Sequence, residues 1–547
     1  MIQSSNSLRS SHPSSTLGAG RPTLPVAIIG AGPIGLAAAA HLLSRGETPL
    51  ILEAGDTVGA NIAQWRHVRF FSPWKYSLDA ASVALLEASG WTAPDPEAYP
   101  TGQDLITRYL APLAATPQIA SHLRLGVRVV SVTRQGFDKM KTIGRAEAPF
   151  LLHLLTRSEG VEREDIVLAH AVIDASGAWM TPNPLGASGV MASGERDLRD
   201  HIAYRIPDVL GADRARYAGR RVLVAGSGHS AFNVLVDLAE LARQASATQI
   251  TWVIRRNGAD SQLFGGGATD ALPARGALGQ RVATLVTAGT LRLAPGFKVT
   301  ALQQTEAGIV VTGDQENGET QLAPVDELIV ATGFRPDLSL LSELRLALDP
   351  ATESPVALAP LIDPNVHSCG TVPPHGAVEL AHPEQDFYLA GMKSYGRAPT
   401  FLLLTGYEQV RSIAAALTND WEAARDVQLM LPETGVCSSS GNATGAGACC
   451  GEPTESPSCG EIANVASEQT LARAQAQSFV GVADMNIADI TNVAIPDVLQ
   501  SVAHAGAARA ARTGPRRTAT SLGVPVRNAE ESTAAATTQG RSTSCCE

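Results

Sequence analysis

The first 368 residues of this 547-residue chain contain no cysteine. A disulfide scaffold would spread thiols through its core, so that class is excluded for most of the chain. Basic residues are in deficit, with 42 Lys and Arg against 53 Asp and Glu and a formal charge of −11. Such a chain has no cationic surface to displace counterions, which argues against a nucleic-acid partner. No apolar run approaches the roughly 18 residues of a membrane helix, so no membrane partner is expected. Residues 1–24 hold no acid and no apolar block, only a Ser-rich stretch read as a disordered extension. Together these absences point to a cytoplasmic globular protein of two or three domains, whose 44% hydrophobic content is ample for a core. Assembly as a homodimer stays open.

What is present begins at Val26. The run Val26-Ala27-Ile28-Ile29 leads into Gly30-Ala31-Gly32-Pro33-Ile34-Gly35, a G-x-G-x-x-G turn. An alanine-rich segment from Leu36 to Leu43 carries no helix breaker, and Pro49-Leu50-Ile51-Leu52 then reads as a second strand ending on Glu53. Strand, turn, helix, strand and terminal acid form the unit that binds a dinucleotide. Gly30 permits the turn, Gly32 lets backbone approach a pyrophosphate, and Gly35 lets helix and strand pack closely. The phosphates would sit at the helix N-terminus beside Pro33, where free N–H groups favour anions. Glu53 is placed to accept hydrogen bonds from ribose hydroxyls.

Aromatics make up only 5% of the chain, yet Trp65, Phe70, Phe71 and Trp74 fall together, with Ser72 and Pro73 between them. They are candidate walls for a flat heteroaromatic cofactor; the alternative is a core cluster beneath a long loop. Residues 103–113 read as a helix, 125–132 and 150–155 as strands, and Ala171 to Asp174 as an apolar strand ending in a small turn at Gly177.

The opening pattern then recurs. Arg221 to Ala225 leads into Gly226-Ser227-Gly228-His229-Ser230-Ala231, where Ala231 replaces the third glycine and meets the need for a small residue. A helix is expected over 232–243. The next strand, 250–254, ends on Arg255-Arg256 rather than on an acid. Two guanidinium groups there suit a 2′-phosphate and favour NADPH, unless they are simply a solvated basic pair. His229 is read as capping or lining the dinucleotide rather than as a general base. Residues 326–337 repeat the strand-to-small-turn pattern at Gly333, and 386–391 give one more strand-to-glycine junction at Gly391. A helix is expected over 406–417 with its N-terminus toward the bound cofactor. No catalytic acid, base or nucleophile stands out.

Beyond about residue 429 Ser, Thr, Gly and Ala dominate, with isolated helices conceivable over 465–477 and 497–512. Six of the seven cysteines lie here, including the adjacent pairs Cys449/Cys450 and Cys545/Cys546. Adjacent thiols are soft ligands for As(III), Cu(I) or Zn, though they lack the C-x₂-C spacing of structural zinc. Incidental thiols in a disordered tail are the plain alternative.

An acid-ended and then an arginine-ended dinucleotide motif, with the Ala331-Thr332-Gly333-Phe334-Arg335-Pro336-Asp337 return, resembles the class B flavin-dependent monooxygenases and, more distantly, the disulfide reductases. Residues 226–233, Trp65 with Ser72-Pro73-Trp74, and Ala390 to Thr400 resemble the subgroup associated with arsenic-resistance operons. The resemblance covers roughly residues 25–430. It implies an α/β fold of two Rossmann-like domains, with an NADPH domain (186–335) inserted into an FAD domain (25–185 and 336–428) and a Cys-containing tail (429–547). It also implies FAD and NADPH as cofactors, a small-molecule substrate, and oxygen adding to reduced flavin as a C4a-hydroperoxide. The family's F-x-G-x-x-x-H signature is departed from, since six residues separate Gly194 from His201 and no Phe precedes them. Gly391 is followed by Met392 where related flavoproteins carry Asp. A disulfide reductase is the rival reading; no cysteine lies between Gly226 and Gly333 to form its usual C-x-x-C, which leaves it a cysteine-free route like that of the bacillithiol disulfide reductases. A metalloid-binding tail protein is the non-enzymatic one.

Overall fold

A computed structural model describes residues 24–429, apart from 159, 259–260, 266, 268–269, 271, 366–371 and 400–401. The described residues are built on two five-stranded parallel sheets. The first has the spatial order Phe387–Leu389, Ala171–Asp174, Val26–Ile29, Pro49–Leu52, Leu123–Arg124. The second has the order Arg292–Ala294, Gln249–Val253, Arg221–Ala225, Glu327–Val330, Ile202–Ala203. The first sheet takes strands from both ends of the described chain, and the second takes all of its strands from the middle. That is the inserted two-Rossmann α/β fold read from the motifs.

Each sheet is organised on its glycine-turn strand. Val26–Ile29 is fully flanked, pairing with Pro49–Leu52 on one side and Ala171–Asp174 on the other. Its continuous apolar run is what a parallel strand covered on both faces requires. Helix Pro33–Ser44 follows, with Pro33 at its first turn, where a missing N–H costs nothing. Ala37 to Ala40 are at most 1% exposed. Their small side chains let helix Leu403–Leu417 pack closely across them. That helix starts three residues earlier than the periodicity predicts, because Leu403 and Leu404 pack against the same core.

Two three-stranded antiparallel sheets complete the described fold, Val127–Arg134 with Phe150–Ser158 and Val161–Ala169, and Lys298–Thr305 with Gly308–Gln315 and Gly318–Gln321. The helix expected over 103–113 is interrupted. α-Helical turns at Gly102–Leu105 and Ala111–Ala115 flank a π-helical stretch at Ile106–Leu110. Pro112 has no N–H to offer the Arg108 carbonyl, and the Trp91 indole Nε1 donates to that oxygen instead, at 2.8 Å. Among the described residues no helix is long and apolar enough to cross a membrane. The expected helices at 465–477 and 497–512, the N-terminal extension and all seven cysteines lie outside the described residues.

Candidate functional site

The first site is the Gly30–Gly35 turn at the carboxyl end of the first sheet, where open α/β sheets bind ligands. The three glycines serve three different needs. Gly30 has φ +102°, and a Cβ there would meet the Ala175 carbonyl oxygen at 3.0 Å. At Gly35 a Cβ would lie 1.9 Å from the Gly30 carbonyl oxygen, so helix and strand touch only because it is glycine. At Gly32, the helix N-cap, φ is −79° and a Cβ would meet nothing within 4 Å. Neither backbone strain nor protein packing calls for glycine at this third position. The open space at a helix N-terminus is the shape a pyrophosphate would fill. Glu53 reaches back to the same turn, its Oε2 accepting from Ala31 N at 2.6 Å and its Oε1 from Gly55 N at 2.8 Å. Each carboxylate oxygen keeps a lone pair for a ribose hydroxyl. These residues fit FAD.

The opposite rim comes from residues far apart in sequence. Asp174 ends its strand fully buried, and Lys393 Nζ donates to its Oδ2 at 2.7 Å. Ser176 Oγ donates to Asp174 Oδ1 at 2.6 Å, fixing the Ala175–Gly177 turn, where Gly177 has φ +72°. At the other junction Gly391, φ +68°, donates its N–H to Gln409 Oε1 at 2.7 Å. Gln409 Nε2 in turn reaches Ser394 Oγ at 3.0 Å and His375 Nε2 at 2.8 Å. Burial lowers the His375 pKa, so its ring stays neutral and can accept there while Nδ1–H donates to Pro373 O. Gln409 on the closing helix thus orders the turn that lacks the family's Asp.

The second turn repeats the first with harder packing. A Cβ on Gly226, φ +123°, would lie 2.3 Å from the Ala331 carbonyl oxygen, whereas one on Gly228 would meet nothing within 4 Å. Helix His229–Gln244 starts there. Ala231 is fully buried, which explains why the third position must stay small. Trp252 Nε1 donates to the Gly226 carbonyl at 2.7 Å and steadies the turn from below. His229 lies half-buried against the Phe71 ring, 4.9 Å between centroids, and burial pushes its pKa down to about 4. The imidazole is neutral at physiological pH and joins the first domain's loop to the second domain's helix. Ser230 follows it in the first turn. Arg255 is exposed at the end of its strand, next to half-buried Arg256. Gly333, φ +90°, is tied to the inter-domain linker through Asn183 N, which donates to its carbonyl at 2.9 Å.

A line of rings runs from Phe70 to Phe334. Phe70 lies 5.5 Å from Trp65, Trp65 6.2 Å from Trp179, and Trp179 4.7 Å from Phe334. Trp179 also donates Nε1–H to Gln64 Oε1 at 3.0 Å, and the Arg205 guanidinium stands 5.4 Å from its ring centroid. Two residues of the aromatic reading lie deep in the fold. Trp74 is 1% exposed and packs in the core with Leu105 and Tyr109, so no face of its ring is open to a cofactor. Ser72 is buried beside it. Trp179 and Phe334, which the sequence reading did not single out as cofactor walls, stand in the line of rings. The candidate soft-metal ligands Cys449, Cys450, Cys545 and Cys546 lie outside the described residues.

Residues 27–152 match the family described as pyridine nucleotide-disulphide oxidoreductase. The chain is 28% identical to a ferredoxin–NADP reductase of Salinispora arenicola over 60% of this chain and 79% of that one. It is 27% identical to human flavin-containing monooxygenase 1 over 42% of this chain and 41% of that one. The fold resembles a bacillithiol disulfide reductase of Bacillus cereus, with TM-score 0.53 and 19% identity over 73% of this chain and 99% of that structure. With the two turns described above, these findings make the chain an oxidoreductase that uses FAD and NADPH.

Proposed function

We propose that the chain is a monooxygenase in which NADPH supplies two electrons, one oxygen atom goes to a small organic substrate and the other leaves as water. Bound FAD would supply the hydride-accepting and oxygen-activating chemistry. The chain's part is to hold, orient and screen. Gly32 and Gly228 leave room for the two pyrophosphates, Glu53 takes an FAD ribose, and the Trp65–Trp179–Phe334 wall keeps water from the junction. The observation that carries the reading is the aromatic character of that junction, which among the described residues is lined by no thiol. The test is NADPH oxidation followed with and without oxygen. The reading expects oxygen-dependent oxidation that consumes one O₂ per NADPH, with hydrogen peroxide released when no substrate accepts the oxygen. Oxidation that proceeds without oxygen, at the same rate, onto a disulfide would contradict it.

Arg255 and Arg256 would read the NADPH 2′-phosphate. A charge-assisted contact is worth about 1.5–3 kcal/mol. Replacing both by Met is therefore expected to weaken NADPH by at least about tenfold while NADH affinity changes little. Equal losses for both nucleotides, measured by flavin reduction rates, would remove this assignment.

The link to arsenic chemistry rests on the motif resemblance and on the soft thiols beyond residue 436. The described fold closes before them. Helix Trp421–Arg425 is capped by Asp420, and Arg411 bonds to the carbonyls of Ala423 and Asp426. A chain ending at residue 429 is expected to bind FAD and oxidise NADPH at a near-normal rate but to lose As(III) binding, read by calorimetry. Loss of NADPH oxidation with FAD retained would instead put the tail in the reaction.

A further inference from the structure

We infer that Arg205 is an anion-binding residue of the substrate pocket, selecting small flat molecules that carry a carboxylate; this rests on the monooxygenase reading only for the word substrate. Three observations meet at this side chain. Its guanidinium stands 5.4 Å from the centroid of the Trp179 ring, the middle ring of the line Trp65–Trp179–Phe334. Its Nε is buried with no hydrogen-bond partner among the described residues, and its NH2 group meets only the Met180 sulfur, at 3.8 Å. No carboxylate pairs with it among the described residues, so its charge is partly desolvated with no acid to offset it, and burial lowers its pKa. Other half-buried arginines here do have acids, as Arg216 has Glu327 at 2.7 Å and Arg221 has Asp326 at 2.5 Å. A cation held this way is completed by an anion from outside, and the planar guanidinium suits a bidentate carboxylate.

The nucleotide's own phosphates lie elsewhere. The strand order places Arg255 and Arg256 beyond the first strand of the pyrophosphate turn on one side, and Arg205 at the second strand on the other. Two strand spacings make about 10 Å between the Gly228 turn and Arg205. A dinucleotide with its 2′-phosphate at Arg255 and its pyrophosphate at Gly228 extends its nicotinamide toward Gly333 and Arg205. The anion met there belongs to a molecule lying beside the nicotinamide, and the Trp179 face offers that molecule a stacking surface.

The test is a binding measurement without turnover, on the full-length FAD-loaded protein, using benzoate and its neutral isostere benzamide and reading tryptophan fluorescence. Benzoate is expected to bind at least about tenfold tighter than benzamide, and Arg205→Met to erase that difference while NADPH affinity changes less than about twofold. Arg205→Lys keeps the charge and the aliphatic stem, and is expected to retain part of the preference. The wild-type comparison stands even if Arg205→Met does not fold. Equal affinity for the two probes, or no binding of either, overturns the inference. So does a loss of NADPH affinity in Arg205→Met as large as the loss for benzoate, which would assign the guanidinium to the nucleotide. Failure of the oxygenase reading would appear only in oxygen consumption and leave this result untouched.

Discussion

Gly32→Val protein is expected to fold, to bind NADPH and to elute without FAD. The added Cβ meets no protein atom, since nothing lies within 4 Å of it, and φ is −79°, a value any residue adopts. The branched side chain would instead occupy the space in which a pyrophosphate approaches the helix N-terminus. Gly35→Val separates this effect from a folding defect. Its Cβ would stand 1.9 Å from the Gly30 carbonyl oxygen, so it is expected to give insoluble or unfolded protein. Flavin absorbance per protein and the circular dichroism of the two variants check the pair. Full FAD occupancy in Gly32→Val would show that the open space at the turn is not the pyrophosphate site.

The second large effect concerns the frame that holds the first sheet's last strand. Glu384 is 4% exposed and lies between two buried guanidinium groups, Arg134 at 2.8 Å and Arg145 at 2.7 Å, and also accepts from Arg345 N at 3.0 Å. Removing one member of such a buried network leaves charges unpaired and costs about 3–5 kcal/mol. Glu384→Ala is expected to lower Tm by on the order of 10 °C. Burial alone would raise the Glu384 carboxyl, but its bonds with Arg145 and Arg134 outweigh this and hold it below its usual value. The stabilisation is therefore fully present above the unfolded glutamate value of about 4.3 and fades as pH falls through the lower folded value. The Tm gap between wild type and Glu384→Gln is expected to narrow on acidification below about pH 4. A gap that widens there would mean the arginines do not stabilise the carboxylate.

Both dinucleotide turns were legible in the sequence because their requirements are local. Gly30, Gly35 and Gly226 answer to backbone neighbours that any such turn brings close, and the space beside Gly32 and Gly228 is left open. The rest of the site is built by contacts across the chain that no periodicity records. Lys393 reaches Asp174 across 219 positions, and Arg134 reaches Glu384 across 250. Trp179 and Phe334 meet across 155 positions of sequence. Aromatic density alone could not separate Trp65, which faces the junction, from Trp74, which packs into the core. Met392, in place of an acid, marked a gap at the last flavin turn, but nothing near it in sequence pointed to Gln409.

The account's central claim is that one chain holds NADPH and FAD for direct hydride transfer. Anaerobic mixing of the FAD-loaded protein with NADPH tests it most directly, read as loss of the flavin's visible absorbance. The account predicts complete bleaching at one NADPH per FAD in wild type and none in Gly228→Val, which keeps its FAD. A flavin that stays oxidised in wild type, or that bleaches equally in Gly228→Val, would contradict it.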